Sequence, residues 1–323
     1  MRDGWRRSDA AQSLELNTVR AVVGRLLPGI GVRSATPLDG GLANTNLRLE
    51  LDGPPGLAVL RVWQHRPQQA GVELAMLARV GATVAVPPLL AATTDEPDLG
   101  GPCALLGWID GERLQDLASN TVEHRMLGRA LGRTLAAIHR ISFPIQGVLN
   151  AALNVAVPLE TGSAGLSAFL RRCMLDGPGG ARLGNVQTTE LTDFVALHGS
   201  RLDHPWALRA CLTHADFNPS NLLLRRNGAD WTMVAVLDWE FAFAGGPAFD
   251  FGHVLRPPWG DRPEFVAGVA EAYRDDGGDL PKEWQAIART ADLFAWADFL
   301  GRPQLDDTVV ASARQMIARI IRS

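Results

Sequence analysis

Residues 212–224 read Leu212-Thr213-His214-Ala215-Asp216-Phe217-Asn218-Pro219-Ser220-Asn221-Leu222-Leu223-Leu224, a polar loop that runs directly into an apolar strand. Asn227-Gly228 follows as a hairpin turn signal, and Met233-Val234-Ala235-Val236-Leu237 reads as the return strand, ending in Asp238-Trp239-Glu240. A hairpin sets the start of one strand beside the end of the other, so Asn221 comes near Asp238, and Asp216 can converge with them. An Asp and an Asn oxygen together suit a hard divalent cation such as Mg²⁺, which prefers oxygen and keeps waters and phosphates. A second Asp can orient a hydroxyl and accept its proton. An isolated Asp-x-x-x-x-Asn is an ordinary turn pattern; the weight comes from His214, the hairpin and the strand-end Asp together.

Outward from this island the chain divides into two textures. On the N-terminal side, Val19, Val22, Val23, Leu26 and Leu27 predict an amphipathic helix stopped by Pro28-Gly29. Residues 32–51 predict two strands around Asp39-Gly40-Gly41, and Leu57 to Trp63 a third, apolar except for Arg61. Val72, Ala75, Met76 and Val80 predict a helix carrying Glu73, and Val84 to Pro87 and Cys103 to Ile109 further strands. Beyond Trp108–Gly111 the pattern is mostly helical. Asn120 with Glu123 is a capping pair for a helix running to His139, and Asp176 to Gly180 reads as a flexible loop. Pro263 and Pro281 sit as first-turn prolines, and Gly277 and Gly301 as helix ends. The boundary predicts a β-rich unit over 1–108 and a larger helical unit over 109–323.

His214-Ala215-Asp216, Asn221 and the later Asp238 reproduce the arrangement of phosphoryl transfer on the protein-kinase pattern. THADFNPSNLLL followed by AVLDWEFAFAGGPAFDFGHVLR resembles the phosphotransferase enzyme family of aminoglycoside phosphotransferases and choline, homoserine and methylthioribose kinases. The family motif usually reads His-Gly-Asp, whereas Ala215 stands in the middle here. The resemblance implies an α+β, two-lobed protein-kinase-like fold: a small β-rich N-lobe that binds nucleotide, and a larger, mainly helical C-lobe with the catalytic β-hairpin. It implies ATP and Mg²⁺ as cofactors and a small-molecule hydroxyl as acceptor, with Asp216 as the catalytic Asp and Asn221 and Asp238 as metal ligands. Asp250 is expected to brace the catalytic loop from behind and His214 to hold it. Arg61 is expected to meet the phosphates and pair with Glu73, with Gly40 to Asn46 over the phosphates and Asn44 and Thr45 as candidate ligands. Backbone groups of Gly107 and Ile109 are expected at adenine. The alternative from another class is a nucleotide-binding pseudokinase acting as scaffold or sensor, to which the Arg61 replacement points.

Composition closes other routes. The 323 residues carry Lys+Arg 31 against Asp+Glu 35, a net charge of −4, so no basic field advertises nucleic acid or an anionic membrane. Lys282 is the one lysine, which excludes a Walker Gly-Lys-Ser/Thr loop and leaves Arg61 as the third-strand cation. Three scattered cysteines and histidines without metal spacing argue against a disulfide framework or a zinc site and for a reducing cytoplasm. No apolar run reads as a signal peptide or a membrane span. Trp108, Trp239, Trp259, Trp284 and Trp296 are expected in the core, and His139 at a helix end inside it. No Ala-Pro-Glu segment follows Asp238, which argues against a protein substrate. From Pro257 onward acids exceed bases, too small a bias to name the acceptor.

Overall fold

The computed structural model describes residues 14–38, 44–64, 67–118 and 120–323. The opening helix α1 (Leu16–Leu26) is followed by β1 (Val32–Pro37), β2 (Thr45–Leu51), β3 (Leu57–Val62), α2 (Ala70–Val80), β4 (Leu89–Glu96) and β5 (Gly101–Gly107). The strands form one antiparallel five-stranded sheet in the order β1-β2-β3-β5-β4. Side chains alternate across a strand, so Leu47, Leu49, Ala58, Leu60, Val62, Cys103 and Leu105 share a face, and Val19, Val22 and Val23 of α1 close it as a core of its own. The opposite face meets α2 and the second lobe. The expected strand at Val84–Pro87 does not form. Pro87 and Pro88 lack the donors a ladder needs, the strand begins at Leu89, and Ala85 uses its carbonyl to accept from Val236 N at 2.9 Å.

The sheet ends at Gly107, and the next strand, β6 (Glu112–Arg113), joins the second lobe. There α3 (Thr121–His139) starts on a complete capping box between Asn120 and Glu123. The hairpin β7 (Gly147–Leu149) and β8 (Val155–Pro158) precedes α4 (Gly162–Leu170), which runs into a π-helical turn at Arg171–Leu175. Next come α5 (Gly179–Leu183), α6 (Asn185–His198) and α7 (Pro205–Leu208), so the last two residues of the expected 176–180 loop are helical. Strand β9 (Cys211–Thr213) leads into the polar loop, then β10 (Leu222–Asn227), β11 (Asp230–Val236) and β12 (Phe243–Gly245). The sheets are β11-β10-β6 and β8-β7-β12-β9. The chain closes with α8 (Pro247–Val254), α9 (Pro263–Asp275), α10 (Trp284–Gly301) and α11 (Asp307–Ile321). Pro263 opens α9 as expected, but α10 begins at Trp284, after a turn in which Trp284 N donates to Pro281 O. Gly228 makes the predicted hairpin turn with φ +61°.

The largest core joins both lobes, running from Met76 and Leu106 into α3, α8, α9 and α10. Trp239, Trp259, Trp284 and Trp296 are buried in it; Trp108 is not, lying half-exposed with Nε1 donating to Asp110 at 2.9 Å. Helices α3 and α9 approach backbone to backbone. A Cβ at Gly128 or Gly132 would strike the carbonyls of Phe265 or Val269, and one at Gly268 that of Arg125. No described helix is long and apolar enough to cross a membrane. The three cysteines are free, and burial pushes the Cys103 thiol up to about 11 and that of Cys211 up to about 12. Since the thiolate is the reactive form, an alkylating reagent at pH 8 is expected to label Cys173 first. Cys103 and Cys211 should become labelled only on unfolding, which peptide mass spectrometry checks.

Candidate active site

Strand alternation delivers the first half of the cluster. Leu60 and Val62 point into the small core, so Arg61 and Trp63 face α2. On that helix Ala70, Glu73, Met76, Leu77 and Val80 are buried, which puts a carboxylate in the middle of an apolar stripe, where it needs a partner. Arg61 supplies it. One guanidinium nitrogen, Nη2, lies 3.0 Å from the Glu73 carboxylate and 2.8 Å from Asp238 Oδ1, and Trp63 Nε1 donates to Glu73 at 2.7 Å. Glu240 stands 3.9 Å from the same nitrogen and accepts from Asn44 Nδ2 at 2.8 Å. Arg61 and Asn44 thus both tie the small sheet to the segment after β11.

The electrostatics follow from crowding. Burial opposes the Arg61 charge, but Glu73, Asp238 and Glu240 outweigh it and hold the guanidinium above its ordinary range. Burial raises Glu73 more than Arg61 lowers it. Burial first, and then the Asp238 charge, push the Glu240 carboxyl up to about 7.

The catalytic-pattern loop is held from behind. The buried Asp250 carboxylate accepts from His214 N at 2.9 Å and Ala215 N at 2.8 Å, and stands 3.2 Å from His139 Nε2. His139, the last residue of α3, is buried as expected, with Nδ1 3.0 Å from the Tyr273 hydroxyl. His214 locks the loop across to the hairpin. Its Nδ1 accepts from Asp216 N at 3.2 Å, which leaves the proton on Nε2 to donate to Leu237 O at 3.0 Å. Between them Ala215 is forced to φ +61°, a left-handed conformation that costs a residue with a Cβ about 1–2 kcal/mol. Ala215→Gly is therefore expected to stabilise the fold by up to about 1 kcal/mol, after the extra entropy of glycine in the unfolded chain is subtracted. A rise in Tm of about 2 °C in a thermal melt checks it; a fall would sink it.

Asp216 is buried and oriented at both oxygens, with Asn218 Nδ2 donating to Oδ1 at 2.7 Å and Asn221 Nδ2 to Oδ2 at 2.9 Å. Those amide bonds turn the Asn221 carbonyl oxygen away from Asp216, and Leu237 N donates to Asn221 O at 2.8 Å, joining the two ends of the hairpin. Asp216, Asn221 and Asp238 all line one cavity of about 820 Å³. The donor set fits a Mg²⁺ ion: one amide oxygen, one partly exposed carboxylate, and space for phosphates and waters. No cluster of three His, Cys, Asp or Glu among the described residues makes a protein-only metal cage.

The candidate residues of the nucleotide side make bonds within the protein. The Gly107 amide donates to Pro88 O at 2.8 Å, and Ile109 follows outside any strand. Thr45 is buried with Oγ1 donating to Gln64 at 2.7 Å, and Asn44 donates to Glu240 at 2.8 Å. Gly40 to Ala43 lie outside the described residues. Asn218 and Trp63 are site residues that the sequence reading does not single out. Asn218 has a signal of its own, an Asp-x-Asn spacing that favours an Asx-type turn; Trp63 has only its place two residues after Arg61.

The profile of the phosphotransferase enzyme family matches residues 34–288. No curated protein matches the chain. Among solved structures it is similar to the GDP complex of wild-type aminoglycoside 2'-phosphotransferase-IIIa, at 16% identity over 96% of this chain and 99% of that one, with a TM-score of 0.70. It is similar to the macrolide 2'-phosphotransferase apoenzyme from Brachybacterium faecium, at 18% identity over 94% and 98%, with a TM-score of 0.67. A third is a thermostable mutant of aminoglycoside phosphotransferase APH(4)-Ia in ternary complex with AMP-PNP and hygromycin B, at 17% identity over 94% and 98%, with a TM-score of 0.68. At such identities the likeness is one of fold, and that fold is the two-lobed kinase-like one. Since the family match covers most of the chain and takes in every member of the cluster from Arg61 to Asp250, the chain belongs to the phosphotransferase enzyme family.

Proposed function

We propose that this enzyme is an ATP-dependent small-molecule kinase that transfers the γ-phosphoryl group to a substrate hydroxyl. The observation that carries the reading is the meeting of Asp216, Asn221 and Asp238 on one cavity, with the Arg61–Glu73 pair beside them. Residues 1–108 form the nucleotide lobe in this reading, and 109–323 the catalytic and acceptor lobe. Asp216, aimed by Asn218 and Asn221, orients the acceptor hydroxyl and takes its proton. Arg61, positioned by Glu73 and Trp63, meets the phosphates with a planar fork where lysine offers a point charge. Backbone groups of Gly107 and Ile109 meet the adenine, with Asn44 and Thr45 on the phosphate side. Asn221 and Asp238 are the residues to hold Mg²⁺, which when bound supplies charge neutralisation to the phosphates.

The test is ADP or GDP release with Mg-ATP or Mg-GTP across aminoglycosides, macrolides, amino alcohols and sugars, with Asp216→Asn as control. Release that the control abolishes supports the reading. The Arg61–Asp238 ion pair favours a second reading, a nucleotide-binding pseudokinase, because it occupies a metal ligand. Mg²⁺-dependent stabilisation by ATP with no nucleotide turnover on any acceptor would favour that one.

A further inference from the structure

Six of the eleven phenylalanines line the cavity that opens at Asp216: Phe169, Phe241, Phe243, Phe249, Phe294 and Phe299. All six are only half-buried, whereas Phe194, Phe217, Phe251 and Phe265 are buried in the core. Four of the six form a continuous wall. Ring centroids are 5.2 Å apart from Phe243 to Phe249, 5.4 Å from Phe249 to Phe294, and 5.3 Å from Phe294 to Phe169. The wall starts on β12, near the catalytic loop, and ends on α4. Val148, also in the lining, pairs with Val157 across the β7–β8 ladder, and both stay exposed. Apolar surface held open in a concave site is surface that a ligand covers.

The charges of the same wall are mixed. Arg172 lies 5.4 Å from the Phe169 ring and Arg302 4.4 Å from that of Phe299, so two cations already face the aromatic surface. Arg302 also donates to Asp298 at 2.7 Å, and Asp306 caps α11 by accepting from Thr308 N at 2.8 Å. Away from the catalytic loop the exposed acids of the described lining are Glu160 and Asp298, the latter paired with Arg302. A polyamine substrate needs several uncompensated carboxylates to replace the water around its ammonium groups, and this wall does not supply them.

We infer that the acceptor is a hydroxyl compound with a broad apolar face and at most one positive charge, selected by the Phe243–Phe249–Phe294–Phe169 wall against polycationic aminosugars. The inference deepens the proposed kinase function and rests on it for what happens to the hydroxyl, though not for binding. The test is calorimetric titration of the nucleotide-free wild-type enzyme with erythromycin, a monobasic macrocyclic lactone, and with kanamycin, a polycationic aminosugar. Erythromycin is expected to bind at least about tenfold more tightly, and Phe294→Ala to weaken it by about tenfold. Phe294→Leu, which keeps apolar surface and guards against a folding defect, should weaken it less. Tighter binding of kanamycin, absence of binding by erythromycin, or erythromycin binding unmoved by Phe294→Ala in a folded variant overturns the inference. ADP release separates the two claims. Erythromycin that binds through Phe294 without being phosphorylated leaves the inference standing and counts against the kinase reading. Kanamycin phosphorylated in place of erythromycin does the reverse.

Discussion

Asp216→Ala is expected to lower kcat by about 10²–10⁴-fold, the usual contribution of a positioned general base, while leaving nucleotide affinity nearly intact. The separation follows from the geometry. Arg61 and Asp238, two of the groups placed to meet nucleotide and metal, are held by each other and by Glu73, and Asn221 meets Asp216 through its amide nitrogen, not through the oxygen that faces a metal. The substitution removes the carboxylate acceptor of the Asn218 and Asn221 amides, which keep the Asp216 backbone carbonyl at 3.2 and 3.0 Å, so the cost stays below the about 1–3 kcal/mol of a fully orphaned buried donor. A folded variant with wild-type ATP binding and a lost kcat is therefore the expected result. It is read by steady-state kinetics on the best acceptor beside a titration of nucleotide. Turnover within about threefold of wild type would remove Asp216 from the chemistry.

The second large effect is expected at Arg61. Arg61→Ala should reduce kcat/KM for ATP by about 100-fold or more, the scale on which removing one charge-stabilising donor acts. Arg61→Lys should keep part of the activity. Lysine preserves the charge, and since one nitrogen of Arg61 meets both Glu73 and Asp238, a single ammonium can keep that pairing while losing the second arm of the guanidinium fork. Arg61→Ala also leaves Glu73 buried without its counter-charge, which costs about 3–5 kcal/mol if the carboxylate stays ionised. Burial already raises the Glu73 pKa, and losing Arg61 raises it further. A carboxyl with a folded pKa above its unfolded value favours folding below the unfolded pKa and loses that contribution as pH rises through the folded one. The gap in Tm between wild type and Arg61→Ala should thus widen from pH 5 to pH 8, in melts at matched ionic strength. Equal kinetics in Arg, Lys and Ala forms would take Arg61 out of the nucleotide site.

How far the sequence carries depends on the range of each interaction. The hairpin is legible because its signals are local: a polar loop, an apolar strand, Asn227-Gly228, and an Asp where the return strand stops. The Arg61–Glu73 pair is legible only through the family resemblance, since nothing local says which strand residue meets which helix residue. Alternation in β3 then explains the pairing once the sheet is known. Val84–Pro87 reads as a strand on its valines and is none, because a proline pair and a sheet partner elsewhere decide that segment. The Gly107 amide meets Pro88 through strand pairing that single-strand patterns do not reveal. The aromatic wall is scattered over four elements between Phe169 and Phe299, and its residues look like core positions until the cavity separates them.

The backbone contact between α3 and α9 reaches further than its place in the fold suggests. His139 ends α3, Asp250 leans on His139, and the loop carrying Asp216 hangs on Asp250. A methyl group added at Gly128 or Gly132 meets the opposing backbone first, so the helix itself must yield, and its terminal imidazole with it. Such a change is remote from the cleft on any map of the surface. A genetic screen for lost activity would nonetheless collect it alongside substitutions of the reacting groups, and the altered loop would surface as a slower turnover before it surfaced as a lower melting point.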